Sequence, residues 1–469
     1  MSETIEGQKL KELGTVTTAS TQKGDPLAEP NTPYIGLEHI ERDLGIINGR
    51  GTAAEVRSTK SVFRKGDLLY GKLRSYLNKV WVAQFDGMCS TDILVYPKTD
   101  AVENAFLKYR FMTRDFVSYA SENSNGVNLP RVNAKALARF PIWFPTLPEQ
   151  QRIVAEIEKQ FTRLEAGVAA LRRVQANLKR YRAAVLKAAC EGRLVPTEAE
   201  LNKSGSGVPP LGLGKKRQDA ASTFETGEDL LARILTERRK NWQGRGKYKE
   251  PAAPDTTNLP ELPGGWTYVA IEMVGFVQLG RQRAPKHHKG ANMRPYLRVA
   301  NVYEDKIDLS DVKEMNFTPA EFEVFRLEPN DILLNEGQSL ELVGRAALYR
   351  GELPGACFTN TIVRFRPCPS LNVKFALSVF RAFMHSGRFQ KIANWTTNIA
   401  HLGADRFAKL AFPLPPLAEQ TRIVAEVERR LSVVEELEAA VSANLQRATR
   451  LRQSILKMAF SGALLIPSE

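Results

Sequence analysis

"PEQQRIVAEIEKQ" at residues 148–160 returns as "AEQTRIVAEVERR" at residues 418–430. Glu149-Gln150 and Glu419-Gln420 hold the same place in the two copies, 419 − 149 = 270 residues apart. Prolines precede both copies, in "FPTLP" and "FPLPPL"; they disfavour helix upstream and suit a helix start. Beyond each copy, apolar residues recur in steps of three and four. The first series is Val154, Ile157, Phe161, Leu164, Val168, Leu171, Val174, Leu178, Tyr181, Val185; the second is Val424, Val427, Leu431, Val434, Leu437, Val441, Leu445, Leu451, Ile455. The period predicts two long helices, with Gly192 and Gly462 as C-terminal stops at the same offset. About 40 helical residues at ~1.5 Å each make a rod of about 60 Å. Each stripe is narrow, of coiled-coil type, and the step from Leu171 to Val174 departs from strict heptads. The expectation is that the rods pack antiparallel on each other within one chain, with the globules that precede them at opposite ends. Pairing with another protein, or between two chains, would cover the stripes equally well.

The segments before the rods repeat more weakly. "PYIGLEHI" from Pro33 answers "PYLRVANV" from Pro295, and "KGDLLYGKLRSYLNKVWVAQFDGMCSTDILVYPK" from Lys65 answers "PNDILLNEGQSLELVGRAALYRGELPGACFTNTIVRFRP" from Pro329. Both read as strand, polar loop, strand, turn, strand, with strands expected at 80–85, 92–96 and 361–365. A helical stretch follows in each, at 102–120 and 372–392. The fold class is α+β: two globules and two long helices with an internal pseudo-twofold repeat. The expected division is 1–147 first globule, 148–196 first rod, 197–260 linker, 261–414 second globule and 415–469 second rod. Residues 201–222, rich in Gly, Ser and Pro, read as a flexible connector, and "TGEDLLARILTERRKNW" at 226–242 as a short amphipathic helix capped by Thr226.

Lysine and arginine exceed aspartate and glutamate by 66 − 52 = +14. A surplus of this size attracts polyanions, nucleic acid before membrane, although it also serves solubility. Cys89, Cys190, Cys357 and Cys368 stand singly, which suits a reducing compartment better than disulfides or zinc. "MSETIEGQKLKELG" lacks the apolar run of a signal peptide, and no apolar stretch reaches bilayer length. A cytoplasmic protein with no membrane association is expected.

Catalytic motifs are missing. There is no phosphate-binding GxxxxGK[ST], no HExxH, no GxSxG and no Cys/His cluster. A methyltransferase should show a glycine-rich cofactor loop with Asn/Asp-Pro-Pro-Tyr/Phe or Pro-Cys, and neither occurs. The carboxylates of 329–343 lack the lysine of a nuclease cluster and read as strand and loop. Adjacent His287 and His288 diverge too far for a shared metal and read as a basic loop. What remains is polar, basic and loop-borne. The first globule offers Lys72, Arg74, Tyr76 and Lys79, then Asn128 and Arg131. The second offers Arg281, Arg283 and Lys286, then Gln338 and Ser339, then Asn398 and His401. Arginine suits guanine, Asn and Gln suit adenine, and lysine mainly holds phosphates.

The whole pattern resembles the DNA-specificity subunit of Type I restriction–modification systems. The residues that carry the resemblance are "PTLPEQQRIV" with "PPLAEQTRIV", "AVLKAACEGRLVP" with "SILKMAFSGALLIP", "RKGDLLYGKLR" with "STDILVYP", the "LPGGW" at 262–266, and "GEDLLARILTERR" after the first rod. The resemblance implies two target-recognition domains, each reading half of a split, asymmetric double-stranded DNA site, with the rods as a spacer ruler. It implies two methylation subunits docking through Glu149, Gln150, Arg152, Glu419, Gln420 and Arg422. They would supply S-adenosylmethionine and the adenine chemistry, while nuclease/translocase subunits would bring ATP and Mg. This chain would then hold no cofactor or metal and be non-catalytic. Two departures stand out: no Gly-Trp precedes the first globule, so the first domain is expected to be trimmed, and no tail follows the second rod, which leaves the circular pseudo-symmetry incomplete where the chain ends would join. A coiled-coil interaction scaffold with incidental charge is the alternative; a self-contained nuclease or methyltransferase is a third.

Overall fold

A computed structural model describes residues 10–203, 224–242, 247–396 and 398–461. Gly462 and residues 204–222 of the expected connector lie outside the described residues. The chain forms two compact units, residues 1–174 with 440–469 and residues 175–439.

In the first unit a three-stranded antiparallel sheet runs in the order Val80–Val82, Leu68–Gly71, Ile93–Tyr96. Its central strand is buried on both faces, which is why it reads as an unbroken apolar run. Leu68 and Tyr70 join Phe106, Phe111 and Phe116 of the following helices, while Leu69 joins Phe63, Trp81 and Val95. A second sheet pairs Pro33–Ile35 in parallel with Gly87–Cys89, Tyr34 lying opposite Met88. Leu10–Glu12 pairs with Pro141–Trp143, just before the first long helix.

In the second unit the order is Ala346–Leu348, Ile332–Asn335, Ile362–Pro367, with Gly275–Leu279 added at the edge. Ile332 and Leu334 face the helical aromatics Phe375 and Phe380, and Leu333 faces Leu297 and Phe358. Met293–Leu297 runs parallel to Cys357–Phe358, Tyr296 lying opposite Cys357. Thr267–Ala270 pairs with Ala411–Leu414 before the second long helix. The central strand of each unit is launched by the same device. The Asp67 carboxylate accepts from the Arg64 and Lys98 amides at 2.8 and 2.9 Å. Buried Asp331 accepts from the Glu328 amide at 2.8 Å and from the Arg366 guanidinium at 2.7 and 2.8 Å. The Asp331 carboxylate of the 329–343 segment is thus consumed by structure.

The two long helices span Leu147–Cys190 and Leu417–Phe460, 44 residues each. The first closes as the sequence predicts: Gly192 takes φ +64° and the Arg193 amide donates to Ala188 O at 2.9 Å. In the first unit the start of one helix meets the end of the other. Ile153, Ile157 and Phe161 share a core with Ile455, Leu456 and Phe460, and Arg452 lies over the Phe161 ring at 4.3 Å. In the second unit Val185, Leu186 and Ala189 share a core with Ile423, Val427 and Leu431, and Arg182 donates to Glu438 at 2.8 Å. The apolar stripes are shorter than their sequence period suggests. Val174, Tyr181, Leu437 and Leu451 are exposed, because steps of three accumulate and turn these side chains off the seam.

Two sequence expectations shift. The helical stretch at 102–120 is broken into Asn104–Phe111 and Arg114–Glu122, and that at 372–392 into Val373–His385 and Arg388–Ile392, the latter at left-handed Gly387. The short helix expected within the linker, Gly227–Lys240, is no free linker element. Thr226 caps it through Asp229, and Leu230 and Ile234 are buried in the second unit's core beside Trp266 and Val269.

Candidate nucleic-acid interface

In the first unit the loop after Leu68–Gly71 folds against a hairpin of Ser124–Asn125 with Arg131–Val132. The Arg74 amide donates to Pro130 O at 2.7 Å, the Val132 amide to Lys72 O at 3.1 Å, and Leu73 bridges to Arg131. Arg74 sits at φ +51°, with its side chain exposed beside half-exposed Tyr76. Ser75 is buried and pins the loop through Ser124 Oγ at 3.1 Å. Arg131 clasps Asp92 with Nε–Oδ1 at 2.9 Å, and this partner raises its pKa. Asn128 stands exposed on the hairpin. The structure therefore brings Lys72, Arg74, Tyr76, Asn128 and Arg131 into one ribbon-like edge.

Lys79 falls away from that group. Its ammonium donates to Leu37 O at 2.5 Å, so it buttresses the loop instead of facing a ligand.

The second unit repeats the construction. The segment after Ile332–Asn335 forms a three-stranded ribbon in which Gly337 pairs with His401, Gln338 with Ala400, and Asn394–Thr396 with Ile399–His401. Gln338, Ser339, Asn398 and His401 meet here. His401 Nδ1 lies 3.0 Å from Glu336 Oε2, and Arg406 donates to His401 O at 2.8 Å. Asn128 and Asn398, like Arg131 and His401, stand 270 residues apart, so the offset of the long helices extends into the hairpins. What sequence reasoning missed is Trp395, 55% exposed on this ribbon; its only signal is a large aromatic among amides.

Arg281 is a correction. It is 8% exposed, pairs with Glu321 at 2.7 Å, donates to Asn316 O and lies over the Phe317 ring. Burial of its apolar neighbours carried the guanidinium inward, where a carboxylate satisfies it. Arg283 and Lys286 stay exposed on the same segment. That segment's backbone bonds run to Phe358 and Asn360, not to the ribbon. His287 contacts Arg281 at 3.1 Å, as a basic loop would.

The residues expected to bind partners are mostly engaged inside the chain. Gln150 is fully buried: its Oε1 accepts from the Glu103 amide and its Nε2 donates to Pro145 O, both at 2.9 Å. Gln420 does the same with the Asn372 amide and Pro415 O, both at 2.9 Å. Each glutamine staples its helix to the preceding globule. Glu419 is buried too, accepting from Trp266 Nε1 at 2.9 Å and from the Glu198 amide at 3.1 Å, and burial raises its pKa. Arg422 pairs with Glu198 and donates to Pro196 O at 3.2 Å. Only Glu149 and Arg152 remain exposed. Glu149 caps its helix through Thr146, and those hydrogen bonds hold its carboxyl below the usual range.

Among the described residues no group of His, Cys, Asp or Glu could hold a metal ion, and no helix is long and apolar enough to cross a membrane. The four cysteines are free.

Comparison with known proteins agrees with this architecture. The chain is 38% identical over 148 residues to the EcoDI specificity subunit of a Type I restriction enzyme from Escherichia coli, covering 31% of this chain and 33% of that one. It is 24% identical over 349 residues to the StySPI specificity subunit from Salmonella potsdam, covering 73% and 62%. The chain thus spans between a third and two thirds of the length of these relatives. A solved chain from a study of complex assembly and conformational transition in the type I R-M system matches with a TM-score of 0.64 and 20% identity, over 98% of both chains, which shows a shared fold. The family model for the Type I restriction modification DNA specificity domain matches residues 2–170 and 263–447, and the chain belongs to that family.

Proposed function

We propose that this chain is the non-catalytic DNA-binding subunit of a Type I restriction–modification complex, recognising a bipartite, asymmetric duplex site with one domain per half. Domains 1–147 and 261–414 are the readers; the helical stretches 148–196 and 415–469, paired antiparallel as an intramolecular coiled coil, set the spacer. The observation that carries this reading is the ribbon in each unit, where a loop between two core strands is hydrogen-bonded to a distant hairpin. A two-stranded β-ribbon fits the major groove; the first ribbon presents basic, amide and aromatic side chains to solvent, and the second presents amides and the Trp395 indole. The shared strand order of the two units supports an internal repeat.

Duplex DNA is the primary partner, favoured by the net charge of +14. Two methylation subunits would bring S-adenosylmethionine and extrude the target adenine, and nuclease/translocase subunits would bring ATP and Mg. This chain holds no cofactor in that scheme. Exposed Arg152 and Glu149 are what is left of the expected docking residues for such partners.

The test is duplex binding by the full chain across a salt series, with Arg74→Ala alongside. Affinity should fall steeply, by about 0.9 log units per log unit of salt for each phosphate contacted. Arg74→Ala should weaken one half-site only. Equal loss at both halves would refute the division of labour, and absence of duplex binding would favour a protein-interaction scaffold.

A further inference from the structure

The outward face of the first unit's ribbon carries a clamped arginine. Asn125 lies opposite Arg131, and Leu73 bridges to Arg131 from the other side. Directly opposed residues share a face of a sheet. The neighbouring pair, Ser124 with Val132, turns the other way, and Val132 is buried. Arg131 therefore points to solvent, its side chain 44% exposed. It meets Asp92 side-on, Nε to Oδ1 at 2.9 Å and Nη2 to Oδ2 at 3.3 Å. Backbone bonds fix both partners: the Lys72 amide donates to Asp92 O at 2.9 Å, and the Val132 amide to Lys72 O at 3.1 Å.

The second unit repeats this frame. The Glu336 amide donates to Thr361 O at 2.9 Å, and the Leu402 amide to Glu336 O at 2.8 Å. Glu336 thus takes the place of Lys72, Thr361 that of Asp92, and His401 that of Arg131. The carboxylate has moved to the other segment and still meets the basic side chain, 3.0 Å from His401 Nδ1. The His401 ring is 41% exposed. Each ribbon holds a basic side chain outward at one register, against a carboxylate supplied from a different place.

An exposed ion pair adds little to stability and is screened by salt. A carboxylate on an edge that meets phosphates also opposes binding. What side-on clamping does is orient the cation. A guanidinium has five N–H donors in a fixed fork, of which Asp92 takes the one on Nε and one on Nη2. The outer edge, formed by Nη1 and Nη2, is turned away from Asp92; Nη1 reaches Leu129 O at 3.4 Å, long for an N–H···O bond. Guanine is the base that presents two acceptors, O6 and N7, side by side in the major groove. We propose that Arg131 reads one guanine of the half-site met by the first unit, its outer edge donating to O6 and N7, with Asp92 as the positioning residue. This rests on the DNA-recognition reading and deepens it. His401 has no fork, so the second half-site lacks a bidentate contact of this kind at that register.

The site sequence is first obtained by mapping methylated adenines in cells producing this chain with its methylation subunit. Full-length chain is then titrated with duplexes carrying, at single guanines, 7-deazaguanine, which lacks N7, or inosine, which keeps N7 and O6. At one guanine in one half-site, 7-deazaguanine should weaken binding roughly tenfold or more, the scale of a bidentate base contact, and inosine should change little. Arg131→Ala should erase that sensitivity and leave those of the other half-site intact. Arg131→Lys, which keeps charge and reach, should retain part of it and carries the test should the alanine variant misfold. Asp92→Ala should cut the sensitivity while affinity for unrelated duplex holds or rises, since a surface carboxylate is removed. A clasp that only holds the fold would instead lower the thermal midpoint and weaken every contact of that half-site together. That outcome would overturn the assignment, as would the absence of any N7-sensitive guanine or a sensitivity unchanged in Arg131→Ala. Failure of the wild-type chain to bind any duplex would instead bring down the DNA-recognition reading itself.

Discussion

Glu149 and Glu419 begin two helices of equal length whose first turns are closely similar in sequence, yet they live in opposite environments. Glu149 is exposed and caps its own helix through Thr146. Glu419 is buried, held by the Trp266 indole and the Glu198 amide. Their carboxyls shift in opposite directions, the first lowered by hydrogen bonds, the second raised chiefly by burial. The adjacent glutamines behave alike, each stapling a buried backbone amide and a proline carbonyl. What separates the copies is the covering layer. The helix Glu198–Lys203 follows the first long helix, and Trp266 stands at the entry of the second globule, just before Thr267–Ala270. Similar helix starts thus acquire different chemistry from what is laid over them.

The largest expected effect tests the part the copies share. Gln150→Ala and Gln420→Ala each leave a buried N–H and a buried C=O without partners, so each should destabilise its own unit by about 2–4 kcal/mol. Urea denaturation followed by hydrogen exchange in each unit checks this. A large loss from one and none from the other would break the equivalence of the staples.

A smaller effect should distinguish the glutamates. Glu419→Ala orphans the Trp266 indole N–H and should cost about 1–3 kcal/mol. Glu149→Ala removes an exposed cap, and its loss should stay confined to faster hydrogen exchange in the first helical turn. Equal global losses would mean that the covering layer over Glu419 contributes nothing.

The smallest effect is in pH. A carboxyl whose folded pKa is raised gives stability that is complete below its ordinary value of 4.5 and fades as pH rises through the folded value. Glu419→Gln abolishes that titration and keeps an acceptor for the indole. Relative to the parent, this variant should therefore be more stable at pH 7 than at pH 4. Thermal midpoints of the two proteins at both pH values decide it; a constant difference would remove burial as the governing influence on Glu419.

Much of the architecture is legible in the chain because it depends on local pattern. The periodic steps from Val154 and Val424 find both helices, the offset from Glu149 to Gly192 sets the first helix's length, and Thr226 marks a true cap. Runs such as Leu68–Leu69–Tyr70 and Ile332–Leu333–Leu334 mark strands buried on both faces. The candidate interface was partly legible for the same reason, since Arg74, Asn128, Gln338 and Asn398 lie on loops between such elements.

Tertiary structure alone decided which polar residues point out and which are consumed. Arg281 and Arg283 are two positions apart in a basic run, yet one is buried on Glu321 and the other exposed. Lys79 matches its neighbours by composition, but a carbonyl 42 residues away takes its ammonium. Gln150, Gln420 and Glu419 look like surface groups at helix starts and are structural staples. The physical reason is range. Helix and strand patterns are written by neighbours a few residues apart, whereas the partner that satisfies a buried polar group arrives from a distant segment. "PEQQRIVAEIEKQ" and "AEQTRIVAEVERR" therefore specify the same helix twice, and only the chain folded over each copy makes one glutamate a cap and the other a buried clasp.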